Sequence, residues 1–309
     1  MAAQKPSPAP RGRRDQETRS AERRRLLLAA LLTGTVLVVE LAGGLLSGSL
    51  ALLSDAAHMF TDLSALLLAF LALTFSVMPG GRRRTYGWYR LEILSALLNA
   101  VLLIGIAGFI FYEAYGRLLA PTEIRSGVVL MVATIGLAVN LLSYSIVSRS
   151  KESINLRGAA MHVLSDALTS VGVIVSALVV RFTGWNAADP LMSAIIGVVI
   201  LFGAFQLLRE SVDILLEATP LHIDPVEIRE TLRKIPGVHA VHDLHVWSIT
   251  SGMPALSVHL IVHDEWFKDA GGKLVEAKEI LKERFDIDHT TIQVESETYA
   301  HRATVQWKS

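Results

Sequence analysis

A histidine followed four residues later by an aspartate occurs twice inside strongly apolar sequence: His58-Met59-Phe60-Thr61-Asp62 and His162-Val163-Leu164-Ser165-Asp166. Residues four apart on an α-helix lie about 40° apart around its axis, so each pair projects from one face. Two such faces opposed offer two imidazole nitrogens and two carboxylate oxygens, a set that suits a tetrahedral divalent ion and Zn2+ in particular. The chain has no cysteine, and a site without thiolates favours release of its ion over permanent retention. Such ligands bind metal only when deprotonated, so protons and metal compete for them, and imidazole, with an ordinary pKa of about 6.5, is suited to that exchange. A charged side chain in hydrocarbon costs roughly 3 kcal/mol on insertion scales. A lone histidine or aspartate there is more simply a helix-to-helix hydrogen-bond partner or the lining of a water cavity. Two pairs with the same spacing favour a metal site formed by His58, Asp62, His162 and Asp166. Asp55, one turn before His58, suits an outer acceptor that orients the imidazole. Glu40, Glu92, Asn99, Asn140 and Asp189 read as interhelical hydrogen-bond partners or the lining of a hydrated mouth.

The elements that must carry these residues are membrane helices. The chain is 51% apolar with a mean hydropathy of +0.44, too apolar for an ordinary soluble protein of 309 residues. Runs of roughly 20 apolar residues span a bilayer core; six occur, at about 26–46, 50–77, 91–112, 126–147, 159–180 and 190–208. The expected fold class is therefore membrane α-helical. A basic, disordered tail over 1–25 leads into six transmembrane helices within 26–208; a cytosolic α+β domain over 209–297 and a C-terminal tail over 298–309 follow. Lys and Arg set the orientation: the tail, the 78–90 loop and the 148–158 loop hold fifteen, and the alternate loops hold only Arg117, Arg125 and Arg181. Both termini are expected in the cytoplasm. The first span is of full membrane length and lacks a cleavage pattern, so the tail reads as a retained anchor. The formal net charge of +0 gives no reason to expect a nucleic-acid partner.

Of the ten histidines, eight lie beyond residue 209: His222, His239, His242, His245, His259, His263, His289 and His301. The pattern there predicts helix (about 224–234), strand (238–249), strand (254–263), helix (271–285) and strand (289–296), a small α+β sandwich with helices on one sheet face. Period-two alternation puts His239, His245 and Trp247 on one side of the first strand and His242 on the other. Glu217, just after the sixth span, is a candidate partner for Arg82, Arg83 or Arg84.

In these residues the chain resembles the cation diffusion facilitator family, and within it the bacterial zinc, cobalt and cadmium efflux proteins. The resemblance runs through Ser49–Met59, Tyr86–Ile93, Asn155–Ser170, Ala188-Asp189-Pro190 and His242–Trp247. It implies a homodimer in the plasma (bacterial inner) membrane with a metallochaperone-like, ferredoxin-like cytosolic domain. The activity it implies is Zn2+/H+ antiport, in which zinc, cadmium or cobalt leaves the cytoplasm by alternating access as protons enter. The matching His58, Asp62, His162 and Asp166 are its transport site, and Zn2+ is both substrate and regulatory ion, with no organic cofactor. The resemblance also implies a cytosolic regulatory site drawing on His245, His259, Glu295 and, offset by one residue from the pattern, His289. His263 and Asp264 are lesser candidates, and the remaining histidines read as solvated. Two features depart from the family. Residues 78–90 contain no His, Asp or Glu, so no second loop site is expected, and Ser148–Gly158 contains no histidine-rich loop.

Two other functions bury His and Asp. An intramembrane metalloprotease needs an open metal position and a general base such as the Glu of H-E-x-x-H, which neither apolar segment contains. A membrane-anchored metal sensor explains a cytosolic site but not ligands within two membrane helices. The chain is thus expected to be a secondary transporter and not an enzyme.

Overall fold

The computed structural model describes residues 31–76, 82, 85–147, 154–265 and 270–300. Among them six long helices come first: α1 (Leu31–Ser47), α2 (Leu50–Ser76), α3 (Arg90–Leu119), α4 (Ser126–Val147), α5 (Ile154–Thr183) and α6 (Ala188–Leu215). The tail expected over 1–25 and residues 301–309 of the C-terminal tail lie outside the described residues. Helices α3 and α6, with most of α4 and α5, are long and apolar enough to cross a membrane. With 30 residues, α3 is about 45 Å long.

What these helices show to the outside is apolar. Phe109, Tyr112, Phe182 and Phe202 are 64% to 79% exposed, whereas Glu40, Asp55, Asp166 and Asp189 are each 2% exposed or less. Ionisable groups inside and aromatics outside are what a hydrocarbon solvent imposes.

The described residues form two compact units, one reaching to Leu67 and resuming over Val101–Phe205, the other comprising Leu68–Ala100 and the chain from Gln206 onward. Leu52, Leu103, Ile110, Val129, Ile196 and Ile200 anchor the core of the first. Small residues let its backbones approach closely. A Cβ at Gly43 would lie 2.7 Å from Val132 Cγ2, and one at Gly136 would lie 2.5 Å from Glu40 Oε1. The contact moves up α4 as it moves down α1, so the two helices pack antiparallel. The turn from α1 to α2 needs Gly48, whose φ is 71° and which ends α1 in the left-handed region that glycine adopts without strain. Asp189, at the start of α6, caps α2. Its Oδ1 accepts from Ser49 Oγ at 2.5 Å, and its Oδ2 accepts from the backbone N–H of Leu50 at 2.7 Å and of Ala51 at 3.3 Å. An anion here meets the positive end of the helix dipole.

In the second unit the order is α7 (Pro225–Arg233), β1 (Val238–Thr250), β2 (Met253–Val262), α8 (Ala270–Phe285), β3 (His289–Ser296) and the short α9 (Glu297–Ala300). Asp224 and Pro225 start α7: Asp224 Oδ1 accepts from Val226 N at 2.9 Å, and proline takes the position where a missing N–H costs nothing. The sheet order is β1-β2-β3, with β1 and β2 antiparallel and β3 parallel to β2 through the α8 crossover. Ile228 and Leu232 of α7 and Ala277 and Leu281 of α8 share a core with Val241, Val246, Leu256, Val258 and Leu260. Both helices thus lie on one face of the sheet, and the other face is free to carry polar side chains. The predicted elements of this domain match within a few residues.

Candidate metal centres

The first unit carries the paired His/Asp motifs on α2 and α5. His58 Nε2 lies 3.9 Å from Asp166 Oδ1, with the side chains 17% and 2% exposed. The edge of a tetrahedral zinc site built from bonds near 2.05 Å is about 3.3 Å, so the two atoms stand close to the separation that one shared ion requires. Asp62 sits one turn after His58 on α2 and His162 one turn before Asp166 on α5; their side chains lie outside the described residues. The described hydrogen-bond donors to Asp55 are hydroxyls of α5. Its carboxylate accepts from Thr169 Oγ1 at 2.7 Å and Ser170 Oγ at 3.3 Å, so it ties α2 to α5 one turn from Asp166. Sequence reasoning passed over Thr169 and Ser170, because a hydroxyl on an apolar helix carries no signal until its acceptor is located.

Two other expectations change. The Glu40 carboxylate oxygens and Asn140 Nδ2 are buried without a hydrogen-bond partner among the described residues, so of the two expected readings the interhelical hydrogen bond is not seen at these atoms. Among the described residues Glu217 Oε1 accepts from Arg90 Nη2 at 2.9 Å, a partner the sequence reading did not name; of the expected partners, Arg83 and Arg84 lie outside the described residues. Asp189 and Glu92 do have hydrogen-bonding roles, Asp189 as the α2 cap and Glu92 as the acceptor for Thr250 Oγ1 at 2.6 Å.

The free face of the cytosolic-type sheet gathers the second group. His259 Nδ1 lies 2.9 Å from Glu295 Oε1, and His242 Nε2 lies 3.2 Å from Glu295 Oε2. The two imidazoles meet edge to face with centroids 5.0 Å apart. Potential ligand atoms of His242, His259 and Glu295 all fall within 4.8 Å of one another. Gln293 Nε2 donates to Glu295 Oε1 at 2.6 Å, holding a carboxylate that is only 4% exposed. His245 joins indirectly: its Nε2 is 3.0 Å from Asp243 Oδ1, whose other oxygen is 3.6 Å from His259 Nε2.

A β-bulge explains why His242 belongs with this group. In β1 His242 pairs with His259 and His245 with Ser257, so two residues, Asp243 and Leu244, stand opposite one. Asp243 has φ 50°, a left-handed conformation that Asp tolerates better than most residues. The extra residue reverses the alternation and turns His242 and His245 to the same face. His289 does not join them. It pairs with Ala255 at the opposite end of β3, and its ring packs against Tyr86 with centroids 5.5 Å apart.

A buried His/Asp pair across apolar helices and an imidazole-carboxylate cluster on an α+β domain are the two halves that comparison with known proteins also separates. Residues 26–216 match the cation efflux transmembrane domain and residues 220–297 the cytoplasmic domain of cation efflux proteins. The chain belongs to the cation efflux, or cation diffusion facilitator, family. It is 44% identical to the metal cation efflux system protein CzcD of Cupriavidus metallidurans, over 88% of this chain and 86% of that one. It is 42% identical to the zinc transporter ZitB of Escherichia coli, over 88% and 87%. Identity to a cadmium, cobalt and zinc/H(+)-K(+) antiporter of Bacillus subtilis is 39%, over 91% of each.

Proposed function

We propose that this chain is a Zn2+/H+ antiporter that exports zinc, with cadmium or cobalt as further cargo, from the cytoplasm by alternating access. The observation that carries this reading is the approach of His58 to Asp166 inside an apolar helix bundle, on helices that each bear a second potential ligand one turn away. The relatives named as zinc transporter and as zinc antiporter support the choice of ion and of proton coupling.

His58, Asp62, His162 and Asp166 form the transport site. In the inward-facing state the deprotonated ligands take Zn2+ from the cytoplasm; after conversion outward, protons displace it, and the protonated site returns. Competition between proton and metal at one ligand set is sufficient for exchange. Asp55, bonded to Thr169 and Ser170, holds the two ligand helices in register. Both termini lie on the cytoplasmic side of the bacterial inner membrane, in keeping with the basic residues of the tail and alternate loops. The protein works as a homodimer, and the name of the second family module, which refers to a dimer, supports this. His242, His259 and Glu295 fit a regulatory Zn2+, with His245 and Asp243 beside them: two imidazoles and a carboxylate held by Gln293 are a donor set zinc accepts.

The test is zinc flux into sealed proteoliposomes under an imposed pH gradient. The unaltered chain is expected to move zinc in step with the gradient, and Asp62→Ala and Asp166→Ala to abolish movement. Zinc binding without flux in the unaltered chain would overturn the transport reading.

A further inference from the structure

A second group of two imidazoles and one carboxylate stands on the same domain, away from His242, His259 and Glu295. His263 Nδ1 lies 2.9 Å from Glu297 Oε1, and His239 Nδ1 lies 3.5 Å from the same oxygen. The two rings meet edge to face with centroids 5.2 Å apart. Potential ligand atoms of all three fall within 4.8 Å of one another, a spread that brackets the roughly 3.3 Å edge of a tetrahedral zinc site. None of the three belongs to the transport site or to the group around Glu295.

The local backbone holds these side chains together. A register shift between Val238 and Ala240 makes His239 the extra residue of β1. His263 follows β2 directly, with its backbone N–H donating to Gly237 O at 3.2 Å, which fixes it beside the start of β1. Glu297 opens α9, and the next residue is clamped: Thr298 Oγ1 donates to Asp264 Oδ2 at 2.7 Å and Thr298 N to Asp264 Oδ1 at 3.4 Å. The clamp runs from the neighbour of His263 to the neighbour of Glu297, so imidazole and carboxylate are held face to face by groups that need no ion. These hydrogen bonds also keep the Asp264 carboxyl below its ordinary pKa.

We propose that His239, His263 and Glu297 form a second divalent-cation site of the cytoplasmic domain, taking Zn2+ or a similar borderline ion with water completing its shell. His239 is 55%, His263 44% and Glu297 33% exposed, whereas the Glu295 carboxylate is 4% exposed. The outer site is therefore the wetter of the two and binds more weakly with faster exchange. It lies three residues along β1 from His242, roughly 10 Å at the rise of an extended strand, so the two groups hold separate ions. The domain would then load in two stages as cytoplasmic metal rises.

The experiment counts zinc bound per protomer by the full-length chain in detergent, at buffered free zinc, by elemental analysis. His263→Ala and His239→Ala are each expected to remove one ion relative to the unaltered chain, and Glu297→Gln, which keeps the side chain's size, to weaken that ion's binding at least tenfold. His242→Ala should lose a different, tighter ion and retain this one. With Co2+ as probe, the visible absorption lost in His263→Ala should be that of the weaker cytosolic step in the titration. Unchanged ion counts in His239→Ala and His263→Ala would overturn the proposal and leave the trio a hydrogen-bonded ion pair. Loss of an ion in a His222→Ala control would also overturn it, by showing the loss to be unspecific.

Discussion

Asp243 determines more than its own contacts. Its φ of 50° sets the bulge, and its carboxylate lies between His245 and His259. The two roles separate by substitution. Asp243→Gly keeps the left-handed backbone at little steric cost and is expected to leave zinc binding by His242, His259 and Glu295 within a few-fold of the unaltered chain. Asp243→Val places a β-branched residue where it is strained by about 1–3 kcal/mol. It should therefore shift the bulge, rotate His242 away from His259 and weaken zinc binding at least tenfold. Competition with a fluorescent chelator, on the full-length chain, reads both. Equal losses in the two variants would assign the effect to the carboxylate and not to the backbone.

Among the elements, α2 depends most on a residue from elsewhere. Three donors at its start converge on Asp189 of α6, and Asp189 is 2% exposed. Asp189→Ala leaves these donors without their anion in a dry environment, at an expected cost of about 2–4 kcal/mol. Asp189→Asn, which keeps an acceptor oxygen, should cost less. Thermal unfolding of the detergent-solubilised protein checks the order. The consequence reaches the site because His58 lies on the same helix: an α2 that frays from its start carries its ligands out of position, so Asp189→Ala should also lower zinc affinity. A variant that unfolds early yet binds zinc normally would show that the ligands of α2 keep their place without the Asp189 cap.

For the whole molecule, the exchange of metal for protons predicts a direction with pH. Lowering pH on the side where zinc binds adds protons to the ligands, so apparent zinc affinity should fall between about pH 8 and 5.5, where imidazoles titrate. Equilibrium binding to the full-length chain measures this, and affinity that rises on acidification would contradict it. The Asp264–Thr298 clamp is not the source of such a response. A carboxyl with a depressed folded pKa stabilises the fold above its unfolded value near 3.9 and loses that contribution only as pH falls through the lower folded value. The clamp is therefore intact throughout this range and contributes nothing to such a response.

Local pattern alone determined the class of the molecule. The length of apolar runs, the His/Asp spacing on one helical face and the order helix-strand-strand-helix-strand are short-range properties, so the chain displays them without folding. They were sufficient for an apolar helical part followed by a cytosolic-type α+β domain, and they marked His58, Asp166, His259 and Glu295, which the fold brings near one another in pairs. What pairs with what across the structure was decided only in three dimensions. Alternation put His242 on the wrong face because one left-handed residue reverses the count, and sequence does not announce a bulge. His289 and Glu295 share a strand, yet six residues of extended chain, about 20 Å, separate them. Asp55 meets Thr169 and Ser170 on another helix, and Glu297 meets His239 and His263 only because the sheet brings a strand's end beside another's start. Side-chain direction and strand register depend on the sum of all packing contacts, and tertiary structure is where that sum is taken.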